Sequence, residues 1–402
     1  MESTGRTKRL PTLCAAEECT GCMGCRNACP HDAIGVREDQ EGFKHPKVVA
    51  EKCVGCGLCE RACPILDSKG LFDNEKEPKT YAAWALDERT RTTSSSGGLF
   101  SVFAGQTLRE GGEVYGASID AALNVKHKKA TKVEELETLK GSKYAQSDIG
   151  ETFGEIRESL KGGRKVLFTG TPCQVAGLKS FLGKDYPELL TIDIFCHGVP
   201  PVSFLKDSLR KTCESNPGTR CLTFRELDGW DCVMRMNGKK LEREESLYLY
   251  SFLKSLNFRE SCYSCPFARV PRQGDVSLGD FWGLGKRIVF DGGDMRQGVS
   301  CVLVNNEKGA DAFERVSDRI FRQERSLEEA CVQNPNIYRA SARPAGRDGF
   351  FQDFADMPRR DFIEKYGLKP KGPSVKKTVA TLIRRLGLRP LLNRMKKILY
   401  RQ

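Results

Sequence analysis

Past residue 80 the apolar positions switch repeatedly between two rhythms. Short continuous apolar runs mark buried strands, and recurrences at three and four residues mark helices. The runs at 81–86 and 113–119 read as strands. Between them 97–109 reads as a helix, opened by Ser94-Ser-Ser-Gly-Gly98 and closed by Gly111-Gly112. A strand at 165–169, a helix at 172–182, a second strand at 189–195 and a helix over 201–213 follow. That order predicts a parallel βαβ unit. Shorter strands at 222–225 and 232–236 come next, then a helix near 245–257, strands at 275–281 and 300–304, and a helix after Asn306. Ser326-Leu-Glu-Glu329 has the form of a capping box and starts one more helix. The pattern predicts an α+β or α/β body built on a mixed sheet and leaves the strand order open.

Before residue 80 neither rhythm holds, and cysteines set the pattern instead. Cys19, Cys22, Cys25 and Cys29 precede Pro30, and Cys53, Cys56, Cys59 and Cys63 precede Pro64, with the same spacing in each half. This is the bacterial ferredoxin run. Three closely spaced thiolates on a turning loop grip three corners of a 4Fe–4S cube, and the fourth, three residues on, reaches the other cube. Cys19, Cys22, Cys25 and Cys63 are therefore expected around one cluster, and Cys53, Cys56, Cys59 and Cys29 around the second. Gly21, Gly24, Gly55 and Gly57 let backbone amides approach the sulfurs. Structural zinc has no use for this eight-cysteine pattern, because it takes four ligands in CxxC pairs. The reading is a ferredoxin-like dicluster domain over 1–72, joined through a polar linker at 67–79 to a body that falls into parts 79–160 and 163–335.

Composition narrows the class. The chain has 402 residues, 39% hydrophobic and 29% charged, with no apolar run near the length of a membrane span. Met1–Leu10 lacks the apolar region of a secretory signal. Eighteen cysteines in that setting point to a reducing cytoplasm and to metal ligation, not to a disulfide framework. The net charge of +12 is concentrated, because the segment from Lys369 to Arg401 holds eleven Lys or Arg and no acid. Within the expected helical tail, 336–402, Val375, Val379, Leu382, Ile383 and Leu386 form one apolar stripe. Leu391, Leu392, Met395 and Leu399 form a second, and both are flanked by cations. Such stripes suit peripheral contact with an anionic membrane at its inner face, against the plainer reading of helices docked on the body. Nucleic acid is not expected, since Tyr400 is the lone aromatic residue beyond Tyr366.

Four further cysteines follow predicted strands. Cys173 stands in Thr169-Gly-Thr-Pro-Cys173 at a helix start, Cys196 in Phe195-Cys-His-Gly198, and Cys262 and Cys265 form a CxxC pair before Pro266. Ligands in open α/β sheets gather at the carboxyl ends of strands. Three readings stay open for these residues: a third cluster site, plain core thiols, or an activated nucleophile at Cys173. Cys14, Cys213, Cys221, Cys232, Cys301 and Cys331 read as core or surface thiols. Gly283-Leu-Gly285 lacks the third glycine of a dinucleotide fingerprint and is expected to lead into a strand.

Several of these segments, in this order, resemble a known family. They are Gly141-Ser-Lys-Tyr-Ala-Gln-Ser147, Phe168-Thr-Gly-Thr-Pro-Cys-Gln174, Phe195-Cys-His-Gly198, Cys262-Tyr-Ser-Cys-Pro266 and Gly274-Asp-Val-Ser-Leu-Gly-Asp-Phe-Trp-Gly283. The family is the coenzyme F420 hydrogenase/dehydrogenase beta subunit, and the resemblance runs from about residue 81 to 304. It implies a flavoprotein with FAD beside a 4Fe–4S cluster held by Cys173, Cys196, Cys262 and Cys265. It also implies FAD contacts at Ser96, Gly97 and Gly98, which alone would read as an ordinary helix cap. Lys143, Tyr144 and Gln146, otherwise a solvated loop, become flavin contacts, and Gly170, Thr171 and Gln174 lie where flavin and cluster meet. Cys173 would stand between the two, and His197, more plainly a structural histidine, would handle protons. The implied activity is an oxidoreductase taking electrons from ferredoxin or another low-potential donor to a small organic substrate or a deazaflavin coenzyme. The alternative is an electron-transfer subunit that serves a partner enzyme. Pro266 and Phe267 follow the CxxC pair where deazaflavin-active members often carry an acid, which leaves the hydride partner open.

Overall fold

The computed structural model describes residues 9–218, 220–225 and 230–368. Its strands are β1 (Ile34–Glu38), β2 (Lys44–Val48), β3 (Lys79–Ala85), β4 (Glu113–Ile119), β5 (Val125–Ala130), β6 (Val166–Gly170) and β7 (Leu189–Ile194). They continue with β8 (Leu222–Arg225), β9 (Cys232–Met236), β10 (Lys239–Lys240), β11 (Val276–Asp280), β12 (Ser300–Val304) and β13 (Ile320–Arg325). One mixed sheet has the order β13-β3-β12-β11-β7-β6-β4-β5. The pairs β4/β6, β6/β7 and β7/β11 are parallel, and antiparallel strands flank them on both sides. The parts expected over 79–160 and 163–335 thus interleave in a single sheet.

Alternation along each strand decides what covers each face. Val114 and Leu167 pack into the cluster that contains Val102 and Phe103 of the helix Leu99–Arg109 and Phe313 of the helix Glu307–Glu314. Their neighbours Tyr115, Val166 and Phe168 turn to the opposite face, under Phe153 of Thr152–Lys161 and Val175 of Pro172–Leu182. Helices on both faces are what a parallel strand group requires. A second lobe forms where β8, β9 and β10 pack with Leu247–Leu253 and with two helices, Phe350–Asp356 and Arg359–Lys365. These last helices are the described part of the expected tail; its apolar stripes at 375–399 lie outside the described residues.

In the register of β6 and β7, Gly170 pairs with Asp193, so the two strands end side by side. The segments that follow carry Cys173 and Cys196. Asp193 fixes this edge from inside. Both Asp193 and Arg272 are fully buried, 2.8 Å apart, and the other Asp193 oxygen accepts from the backbone amides of Gln273 and Gly274 at 3.0 and 2.9 Å. The 67–79 linker is strapped to the same turn, because Asn74 donates to the carbonyls of Arg272 and Gly274, both at 2.9 Å.

Some elements differ from expectation. The helix expected over 201–213 divides into Val202–Ser208 and Arg210–Glu214, and no strand follows Gly285, where Leu284 and Ile288 make only an isolated bridge. The lysine-rich β5 and the charged β13 carry no apolar run, and both are edge strands of the sheet. Removing one partner of a buried ion pair leaves the other uncompensated. Arg272→Met is therefore expected to lower unfolding stability by about 3–5 kcal/mol, read from denaturant midpoints.

Candidate iron–sulfur sites

In the N-terminal domain each cysteine run turns through a left-handed residue into a single helical turn. Met23 (φ 57°) precedes Gly24–Asn27, and Gly57 (φ 72°) precedes Leu58–Arg61. Cys25 and Cys59 ride on those turns while Cys29 and Cys63 lie just past them, aimed across the domain. The result is a crossed arrangement. Cys19, Cys22, Cys25 and Cys63 line one cavity of about 380 Å³. Cys29, Cys53, Cys56 and Cys59 line a second of about 300 Å³. Backbone amides meet the sulfurs, Ala33 N–H to Cys29 at 3.3 Å and Gly55 N–H to Cys53 at 3.4 Å.

A third cavity, of about 470 Å³, is lined by Cys173, Cys196, Cys262 and Cys265, together with His197 and Thr20. Three separate elements supply its thiols: the start of the Pro172–Leu182 helix, the segment after β7, and the short turn Glu260–Cys262 with the loop beyond. Thr20 also lines the first cavity, so one residue forms a wall of both.

Electrostatics argue against free thiolates in these places. Burial pushes Cys25, Cys173 and Cys262 up to about 12 and Cys22 and Cys196 well above the usual thiol range, with neighbouring thiols adding to the rise. Cys173 sits at a helix start, yet desolvation outweighs the helix, so an activated nucleophile is disfavoured there. Four such sulfurs around one cavity become stable anions when cationic iron neutralises them. Among the described residues no three His, Cys, Asp or Glu side chains converge on a single-ion position.

Comparison with known proteins agrees with this division. Residues 163–330 match the model for the C terminus of the coenzyme F420 hydrogenase/dehydrogenase beta subunit, and residues 18–65 match the 4Fe-4S dicluster domain. The chain thus carries the C-terminal domain of this beta-subunit family over 163–330. It carries the dicluster domain in front of the beta-subunit body, and it is an electron-transfer iron–sulfur protein. No curated protein matches it. Among solved structures it is similar to a chain of the xenon-derivatised F420-reducing NiFe hydrogenase complex from Methanosarcina barkeri. The identity is 15%, over 67% of this chain and 91% of that one, with a TM-score of 0.43.

The residues assigned to flavin by resemblance do not all gather in one place, and none of them lines the three cavities. The Ser94–Gly98 loop and the 141–147 loop do meet, through Ser142 N–H to Ser95 Oγ at 2.8 Å. Beside that contact the Lys143 ammonium caps the carbonyls of Leu139 and Lys140, both at 2.7 Å, and desolvation lowers it to about 7. The Gly97 amide is already spent on Ser300 Oγ, and a side chain at Gly97 would strike the Ala83 carbonyl at 2.4 Å, so this glycine serves close packing. Thr171 and Gln174 form a capping box, with Gly170 packed against the Gln174 side chain, and Gln174 also donates to Ser147. Gln146 is engaged at both ends, to Thr20 and to Arg259, at the domain junction. Tyr144 stacks on Phe252 at 4.5 Å in the second lobe. Burial lowers His197 below the usual imidazole range.

Other residues near the sites gave little or no signal in the sequence. Cys14 lines the first cavity and is not an ordinary surface thiol. Arg225, from β8, pairs with Asp280 at 2.5 Å and donates to the Tyr144 hydroxyl at 3.3 Å, while Trp230 donates to Asp280 at 2.6 Å. Asp280 lies inside the Gly274–Gly283 motif, whereas Arg225 comes from an unremarkable strand and Trp230 from the segment before β9. Arg259 is buried between the dicluster domain and the Cys262 turn.

Docking of the dicluster domain onto the body depends on a missing side chain. A Cβ at Gly177 would lie 2.8 Å from Cys22 Sγ and 2.9 Å from Cys22 Cβ. Gly177→Ala is expected to destabilise the protein by about 1–3 kcal/mol, the cost of overpacking, and to lower its iron content through the first site. Iron analysis and denaturant unfolding check this.

Proposed function

We propose that the chain is an iron–sulfur flavoprotein oxidoreductase that takes one-electron equivalents at its dicluster domain and delivers them, past a third 4Fe–4S cluster, to an organic substrate or deazaflavin coenzyme. The observation that carries this reading is the third cavity, whose four thiols come from three separate elements and which shares Thr20 with the first. Cys173, Cys196, Cys262 and Cys265 would hold that cluster, and amides of Gly198 and Val199 favour charge on Cys196 and Cys262. Cys56 is exposed, with Val54 and Leu58 exposed beside it, which suits approach of ferredoxin or another low-potential donor to the second site.

FAD is the expected bridge to the organic acceptor, since a flavin couples one-electron carriers to two-electron chemistry. Part of the donor set suits it. Lys143 has no carboxylate within ion-pair distance among the described residues, and the serine loop lies beside it, as an anionic phosphate would require. The other assigned residues are committed to protein contacts. The rival reading, an electron-transfer subunit serving a partner enzyme, needs nothing beyond these three cysteine-lined cavities. Among the described residues no helix is long and apolar enough to cross a membrane. Peripheral contact with an anionic surface rests on the cations of 369–402.

Anaerobically purified protein is expected to contain about twelve iron and twelve sulfide per chain. A value near eight removes the third cluster. FAD released on denaturation is expected from the wild type. Lys143→Glu should bind it about ten- to a hundred-fold more weakly, the loss of a charge-assisted hydrogen bond worth about 1.5–3 kcal/mol, with iron unchanged. Wild-type protein without flavin favours the rival.

A further inference from the structure

Among the described residues three arginines are no more than 2% exposed, and they divide by their partners. Arg272 is paired with Asp193 at 2.8 Å and Arg347 with Glu41 at 2.5 Å. Arg259, 1% exposed, has no carboxylate within ion-pair distance among the described residues. Its donors reach neutral acceptors instead: the carbonyls of Cys19 at 3.2 Å and Lys44 at 2.7 Å, the Gln146 amide oxygen at 3.0 and 3.2 Å, and His45 at 3.4 Å. Phe43 lies against one face of the guanidinium, 5.0 Å away. The nearby carboxylate of Asp39 is turned to His45 at 2.9 Å.

A buried cation with only neutral partners is expensive unless an anion lies nearby. On one side of Arg259 is the first cavity, whose Cys19 carbonyl it holds. On the other is the third, whose Cys262 lies three residues along the chain. Cys19, Cys262, Asp39 and Cys173 are its electrostatic neighbours, and of these Asp39 is already engaged by His45. A 4Fe–4S cluster with four thiolate ligands is a net anion and becomes more so when reduced. Local charge is one of the quantities that set cluster potentials.

We propose that Arg259 is the shared counter-cation of the first and third clusters, a positioning residue that raises both reduction potentials relative to the second. For the third cluster this rests on the function proposed above; for the first it rests on the dicluster domain alone. In each reduction one electron is taken from dithionite, and no bond is made or broken.

The test is a dithionite titration followed by electron paramagnetic resonance on the full chain, with Cys56→Ser marking the signal of the second site. Arg259→Gln should lower the potentials of the first and third clusters and leave the second unmoved. Arg259→Lys, which keeps the charge, should stay near wild type. If Arg259→Gln does not hold its iron, Gln146→Glu decides. That change is nearly isosteric and sets a carboxylate on the guanidinium, so the same two potentials should fall. Unmoved potentials in Gln146→Glu, or an equal shift in all three clusters, overturn the proposal. Wild-type iron near eight would remove the third cluster, and the shift of the first cluster alone then decides the matter.

Discussion

Desolvation of sulfur is the constraint on which this molecule is built. Thirteen cysteines, Cys14 among them, line three cavities, and burial is the largest cause wherever their thiol pKa is displaced. A thiolate in such a place is stable only if positive charge or hydrogen-bond donors replace the lost water. The chain supplies donors in a consistent way. Amides of Gly21 and Gly24 serve Cys19 and Cys22, and those of Phe267 and Ala268 serve Cys265. These donors come from backbone that must bend sharply toward the sulfur, which is why glycines crowd the N-terminal runs.

The sheet answers the same demand at longer range. A local loop can offer three sulfurs on one turn, as the N-terminal runs do. The third set has ligands scattered over some ninety residues, and only tertiary structure assembles them. Parallel pairing brings the ends of β6 and β7 together, and the buried Arg272–Asp193 pair locks the turn that returns the chain from Cys265 into β11. A buried pair is weak evidence for net stability, because desolvation offsets most of the attraction. Its worth here is geometric: two amides, one guanidinium and one carboxylate admit a single arrangement of that turn.

Legibility in the sequence followed the range of the determinants. The crossed grouping of Cys63 with Cys19, Cys22 and Cys25 could be read directly, because the spacing encodes it. Strands β4, β8, β9 and β12 could be read to the residue, because each is a compact apolar or β-branched run. The edge strands β5 and β13 could not, because their lysine, arginine and glutamate residues shield the sheet margin from pairing and erase the alternation. Arg259 was invisible for a different reason. No local pattern separates an arginine bound for a protein interior from one bound for solvent. Gln146 drew attention through a family motif, and its amide proved to face Thr20 and Arg259.

The junction between the dicluster domain and the body shows which forces hold it. Arg26–Glu151 and Lys44–Asp148 cross it at 2.9 and 2.6 Å, but their side chains are substantially exposed. Pairs of that kind contribute about 0–1 kcal/mol each and weaken with salt. The buried contacts are different in kind. Gly177 lets Cys22 press against the Pro172–Leu182 helix, and Ser261 and Arg259 both bind the Cys19 carbonyl. Leu71 of the linker packs with Ala176 of the same helix and with Phe267. The residues that position the first cavity are therefore the residues that dock the domain. Loosening the junction would displace Cys19 and Cys22 together with Thr20, the wall shared with the third cavity. Docking and the spacing of the two sites are consequently one property of the chain and cannot be varied separately.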